Sequence, residues 1–286
     1  MPTLRLESEL DTLDLDGIAS TGQGVQALSG AGGFGLPQVS VQWLEGAGDG
    51  ATYRGRRVLP RDIDLPLFFQ AHDRAGLQDL LSRFARMMAG RCTLRLIEDD
   101  GSDWSTTVYR IGGGDYVYGA DTIGETEFQT TVTLRAGDPY WTSSRAIRQE
   151  ITNRGAGRGL LGGSLMKLAI SSSQAVGEVQ MENPGDAEAY PVWTARGPGR
   201  DLKAISSTGQ GFEWLGTLAA GETLTIDTKT GLVQDDKGQN RYEELAPSPR
   251  LWTVPPGISM ATISMQDVDG SSLIVAQWRP RKWMVV

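Results

Sequence analysis

The sequence predicts a mainly β protein in two domains: a β domain carrying one packed α-helix, then a β-sandwich. Three observations predict it. Apolar and polar residues alternate with period 2 in short segments along the whole chain. Only one stretch, residues 73–88, holds helical spacing, through Leu77, Leu80, Leu81, Phe84 and Met88. Glycine reaches 37 of 286 residues and is scattered without a fixed period, which marks many tight turns. A chain of this length suits two cores of roughly 100–150 residues each.

The first half opens on Thr3-Leu4-Arg5-Leu6-Glu7, with both leucines on one face. A glycine-rich loop is expected from Gly22 to Gly35, and Val39 to Trp43 alternates again. From Arg61 to Leu67, Ile63, Leu65 and Leu67 share a face opposite Asp62 and Asp64. Pro66 lacks a donor, so this strand is expected to lie at an edge or to bend there. The helix has Asp73 as N-cap and Gly90 as stop, and its polar face carries Asp79, Arg83 and Arg86. Strands are expected at Cys92 to Leu96, Thr106 to Ile111, Asp115 to Tyr118 and Glu127 to Arg135, with Asp99-Asp100-Gly101 as a turn.

Gly137-Asp138-Pro139-Tyr140-Trp141 interrupts the pattern, and Asp138, Pro139, Tyr140 and Trp141 are expected to mark the domain seam. The first domain then covers residues 1–141, a linker and loop 142–175, and the second domain 176–286. Asn153 to Gly163, rich in glycine and arginine, reads as a flexible loop. The second domain shows strand patterns alone. They fall at 177–181, 189–195, 202–206, 211–215, 223–226, 231–234, 251–254, 258–265 and 271–278. Turn signals recur about every ten residues, the signature of a sandwich or jelly roll.

The net charge of −8 is unevenly placed. Residues 1–140 hold 20 acidic and 12 basic side chains, and residues 141–286 hold 15 of each. An acidic surface argues against tight nucleic-acid binding and favours solubility. Met1 to Arg5 lacks a basic segment followed by an apolar run, and no stretch approaches the ~18 apolar residues of a membrane span. Synthesis in the cytosol is therefore expected, without a signal or a span.

Catalytic and cofactor patterns find little support. Gly30-Ala31-Gly32-Gly33-Phe34-Gly35 formally fits G-x-G-x-x-G, but Leu36-Pro37 and a strand follow it where a dinucleotide site needs a helix. There is no Gly-Lys pair for a P-loop. One histidine, His72, cannot build a multi-histidine zinc site, and no G-x-S-x-G elbow accompanies it. Cys92, alternating with Leu94 and Leu96, reads as a buried strand thiol that can form no intrachain disulfide. Asp99, Asp100 and Asp103 do not fit a calcium loop and read as turn residues, as do Asp267 and Asp269. No catalytic residue, metal or cofactor is expected. Paired carboxylates of a glycosidase stay open, because their spacing in the fold is not visible in sequence. Trp193, Trp214 and Trp252 lie in strand-like segments, as core residues or as sugar-stacking platforms.

Several short elements, in order over about 250 residues, give the chain a resemblance. They are Tyr53-Arg54-Gly55-Arg56-Arg57-Val58-Leu59-Pro60-Arg61-Asp62-Ile63, the helix ending at Gly90 with Thr93-Leu94-Arg95-Leu96, and Gly137 to Trp141. Asn183-Pro184-Gly185-Asp186 to Tyr190-Pro191, Ala220-Gly221-Glu222-Thr223 to Asp227, Gly231-Leu232-Val233, and Trp252 with Pro256-Gly257 follow. In this the chain resembles the distal tail proteins of siphophages, the phage minor tail protein family. The resemblance implies a belt domain that assembles as a hexameric ring, followed by a galectin-like or carbohydrate-binding-module-like sandwich. It implies a virion location at the tail tip. The expected partners are further copies, the tail tube protein, and tip, hub and baseplate proteins, with DNA only passing through the lumen. Acidic residues of the first domain would line that lumen. Two other readings stay open: a host-surface glycan-binding adhesin module, and a tail-associated cell-wall hydrolase.

Overall fold

The computed structural model describes residues 2–116, 125–152 and 174–285. One unit, Met1–Arg145 with Arg281–Val286, is built from β1 (Thr3–Glu7), β2 (Thr12–Asp14), a short helix α1 (Gly17–Thr21), β3 (Gly24–Ala27), β4 (Val39–Glu45), β5 (Ala51–Val58), β6 (Arg61–Gln70), α2 (Arg74–Met88), β7 (Cys92–Ile97), β8 (Asp103–Gly113), β9 (Glu127–Ala136) and β10 (Trp141–Ser143). Its sheet runs β2-β1-β7-β8-β9-β6-β3, and β10 adds to β8. Every pairing is antiparallel. A bridge between Asp16 and Gln26 links the two ends of the sheet, which thereby wraps its core.

Alternation decides what that core contains. Ile63, Leu65, Leu67 and Phe69 of β6 are fully buried, and Val132, Leu134 and Ala136 of β9 join them. The helix α2 lays Leu77, Leu80, Phe84, Met87 and Met88 over these strands, with Phe84 edge-on to Phe69 at 5.0 Å between ring centres. Each such side chain contributes about 1.5–3 kcal/mol by leaving water. The Asp73 carboxylate accepts the Gly76 amide at 2.7 Å, which caps the helix. Asp73→Ala is therefore expected to cost the first unit about 1 kcal/mol in a urea titration. On the polar face, Arg83 grips Asp11 through two nitrogens, and the guanidinium holds that carboxyl below its ordinary value of 3.8.

Three expectations change here. β6 is interior, flanked by β9 and β3, despite Pro66. The Pro66 carbonyl accepts from Leu28, just past the end of β3, so the missing N–H faces that side and costs the β9 ladder nothing. The segment from Gly22 to Gly35 is not all loop, because β3 lies inside it. Asp115 and Tyr116 lie outside any strand, and residues 117 and 118 of that expected strand lie outside the described residues.

The other unit, Ala146–Pro280, contains β11 (Ile147–Thr152), β12 (Gln174–Asn183), β13 (Val192–Arg196), β14 (Gly199–Ser206), β15 (Gly211–Leu218), β16 (Thr223–Asp227), β17 (Val233–Asp235), β18 (Gly257–Gln266) and β19 (Leu273–Trp278). They form two antiparallel sheets, β11-β19-β13-β16-β17 and β12-β18-β14-β15. Trp193, Leu224, Ile226, Ile274 and Ala276 of the first meet Met181, Leu202, Phe212, Trp214, Ile263 and Met265 of the second in one core. This is the expected sandwich. The segment 251–254 forms no strand, only an Ala189–Val254 bridge. The expected linker stretch 142–175 carries most of β10, all of β11 and the start of β12. The expected flexible loop at 153–163 lies outside the described residues. The chain then re-enters the first unit as β20 (Arg281–Lys282), which pairs with β10. No helix among the described residues is long and apolar enough to cross a membrane.

Candidate assembly interface

Among the described residues β4 and β5 pair with each other and belong to no larger sheet. Cross-strand partners share a face, so Val39 with Val58, Val41 with Arg56, and Trp43 with Tyr53 line one side of this hairpin. Trp43 is 59% and Tyr53 52% exposed, and their rings meet edge-on at 5.7 Å. Val39, Val41 and Leu44 are exposed as well. A two-stranded hairpin is marginal in water by itself, and an uncovered apolar face marks a place where something binds. The strand β5 also presents Arg54, Arg56 and Arg57. The hairpin, residues 39–58, holds three basic and two acidic side chains, whereas the whole first unit holds 15 basic and 20 acidic. It is thus a cationic, aromatic arm on an acidic body.

The root of the arm is organised by Arg61, which is 3% exposed. Its Nε donates to the Pro139 carbonyl at 2.9 Å. One terminal nitrogen donates to the carbonyls of Gly33 and Gly35, and the other to that of Trp283. These partners are carbonyl dipoles rather than a carboxylate, and burial pulls the guanidinium below its ordinary value. Gly33 has to be glycine: its φ is +92°, and a Cβ would stand 2.2 Å from the Asp62 carbonyl oxygen. The same loop places Phe34 flat on Trp141, at 5.5 Å and 10°.

The residues expected at the seam surround this node, inside the first unit. Asp138 pairs with Arg281. The Pro139 carbonyl takes the Arg61 bond. The Tyr140 ring lies 4.8 Å from that of Trp283, with the Arg281 guanidinium 4.1 Å from its centre. Trp141 is fully buried and stands opposite Lys282 in the ladder. Sequence reading missed Arg61 and Trp283. The signal for Arg61 was present, since it shares the inward parity of Ile63, Leu65 and Leu67.

Trp193, Trp214 and Trp252 are 1%, 0% and 3% exposed, so of the two readings open for them their burial fits the core one and leaves no ring face for a sugar. Stacking needs an open ring face. Trp193 instead meets Phe212 and Trp252 edge-on, and the Trp252 Nε1 donates to the Ala204 carbonyl at 3.3 Å. Trp193→Ala is expected to destabilise the second unit by about 3–5 kcal/mol and to leave the first unit's melting transition in place. His72 is exposed just before α2. Burial pushes the Cys92 thiol up, and it contacts the Met87 carbonyl at 3.1 Å. Asp103 pairs with Arg95, and Asp100 and Asp269 cap their own turns. No group of three or more His, Cys, Asp or Glu suited to a metal occurs among the described residues.

The fold, a β unit with one packed helix followed in sequence by a sandwich, has counterparts among solved phage proteins. The SPP1 Dit protein, described as a paradigm of the hub adsorption apparatus in phages infecting Gram-positive bacteria, matches with a TM-score of 0.66 at 10% identity over 98% of this chain and 99% of that one. Chains of the phage P2 baseplate in its activated conformation, with calcium and with strontium, match with TM-scores of 0.53 and 0.52, each at 10% identity over 97% of this chain. At such identity the likeness establishes the fold, which is the one the distal tail protein resemblance implied. No family model matches the chain, and no curated protein matches it.

Proposed function

We propose that this chain is a structural component of a bacteriophage tail tip, where six copies form a ring that joins the tail tube to the hub and baseplate. The observation that carries this is the uncovered β4–β5 arm, on a chain whose fold follows a phage hub protein from end to end. An arm on one side of a protomer that docks elsewhere on the next is a head-to-tail contact. Such contacts close into rings when the rotation between neighbours permits. The cationic strand β5 complements the acidic remainder of a neighbouring first unit. The net negative charge of that unit supports a lumen through which DNA slides without sticking. The reading requires no catalytic residue, metal or cofactor, and it places the protein in the virion. Light scattering and negative-stain imaging of the purified chain, alone and with the tail tube protein, test it. A closed ring that disappears when Trp43 and Tyr53 become serine is the expected result.

A further inference from the structure

The segment Arg281–Val285 reaches the first unit only after the whole second unit has been laid down in sequence. It is held at every second step. Arg281, 6% exposed, pairs with Asp138. The Trp283 carbonyl accepts from Arg61. The Val285 amide donates to the Phe34 carbonyl at 3.2 Å, and its side chain, 4% exposed, enters the core. These contacts converge on the root of the arm. Gly33 and Gly35, which share Arg61 with Trp283, lead into β4, and Arg61 itself follows β5 by three residues. The Arg56 guanidinium of β5 lies 5.9 Å from the centre of the Trp283 ring.

We propose that Arg281–Val285 is a clasp that sets the root of the arm, so that the first unit presents its arm only once the residues following the second unit are in place. A buried guanidinium whose hydrogen-bond acceptors are carbonyls depends on each of them, because an orphaned buried donor keeps its full desolvation penalty. Without the segment, Arg61 loses one acceptor, the Phe34 carbonyl loses its donor, and the Val285 position becomes a void. No third strand among the described residues holds the arm, so its direction is set at its root. The link to assembly rests on the ring reading above; the clasp itself does not.

Amide hydrogen exchange and oligomer mass, measured on the native chain, on a chain ending after Pro280 and on Trp283→Ala, test the proposal. The amides of Gly32, Leu59 and Asp64, bonded to the Asp64, Gln38 and Gly32 carbonyls, are the reporters. In the shortened chain they are expected to exchange at least about tenfold faster, while Trp193 and Ile226 of the second unit keep their protection. Trp283→Ala, which leaves the backbone bonds available, is expected to speed Leu59 selectively. Unchanged exchange at the reporters in both variants overturns the clasp, and so does equal loss of protection in both units. Faster exchange with an unaltered oligomer overturns the link to assembly. An oligomer indifferent to Trp43→Ser with Tyr53→Ser removes the arm from the interface, and with it the link to assembly, and leaves the clasp supported by its exchange data.

Discussion

Arg61→Met is expected to remove about 2–3 kcal/mol from the stability of the first unit and to leave the second unit's transition where it is. Methionine keeps most of the stem and relieves a buried charge, which by itself favours the variant. Against that, the carbonyls of Gly33, Gly35, Pro139 and Trp283 are left facing a thioether. A fully buried acceptor without a donor costs about 1–3 kcal/mol. These four belong to exposed or half-buried residues, so each lies at the low end of that range; with the lost contact to the Trp141 ring, they still outweigh the relief of the charge. Arg61→Lys should fall between: it keeps the charge, but a compact ammonium cannot reach carbonyls spread around a planar fork. Calorimetry resolves the outcome, since the first unit's melting point should drop by roughly 10 °C. A first-unit transition matching the native one would mean that Arg61 is not the node described.

Serine at both Trp43 and Tyr53 is expected to separate assembly from folding. Both rings are more than half exposed in the single chain, so their loss should change its stability by under about 1 kcal/mol. Buried in an interface, each becomes the kind of aromatic anchor whose removal costs 2 kcal/mol or more, about thirtyfold in the dissociation constant. Sedimentation velocity over a range of concentrations, beside a urea titration, reads both quantities. A double variant that assembles like the native chain would remove the arm from the interface. One that unfolds would show that the rings serve the fold.

Much of this fold was legible in the sequence, and the reasons differ by element. The helix was visible because Leu77, Leu80, Phe84 and Met88 must cover one core, and β6 and β9 because each has a dry face and a wet one. The second strand of the arm was obscure. Tyr53 to Arg57 shows no alternation, since neither of its faces is buried by the described residues. Pro66 misled because its effect depends on which neighbour its missing donor faces, and that is a property of the sheet. The pairing of Trp141 with Lys282 joins residues on opposite sides of the second unit, and local pattern carries no trace of it. The buried tryptophans could be placed on strands, but which face would be closed depended on the second sheet of the sandwich.

The ring itself is tested most directly by counting protomers in particles of the purified chain, by mass photometry at rising concentration with negative-stain class averages. The account predicts six-fold rings, populated further when the tail tube protein is added and absent from the Trp43→Ser, Tyr53→Ser chain. Monomers at every concentration with the tube protein present, or rings that form equally well without the two aromatic side chains, would contradict it.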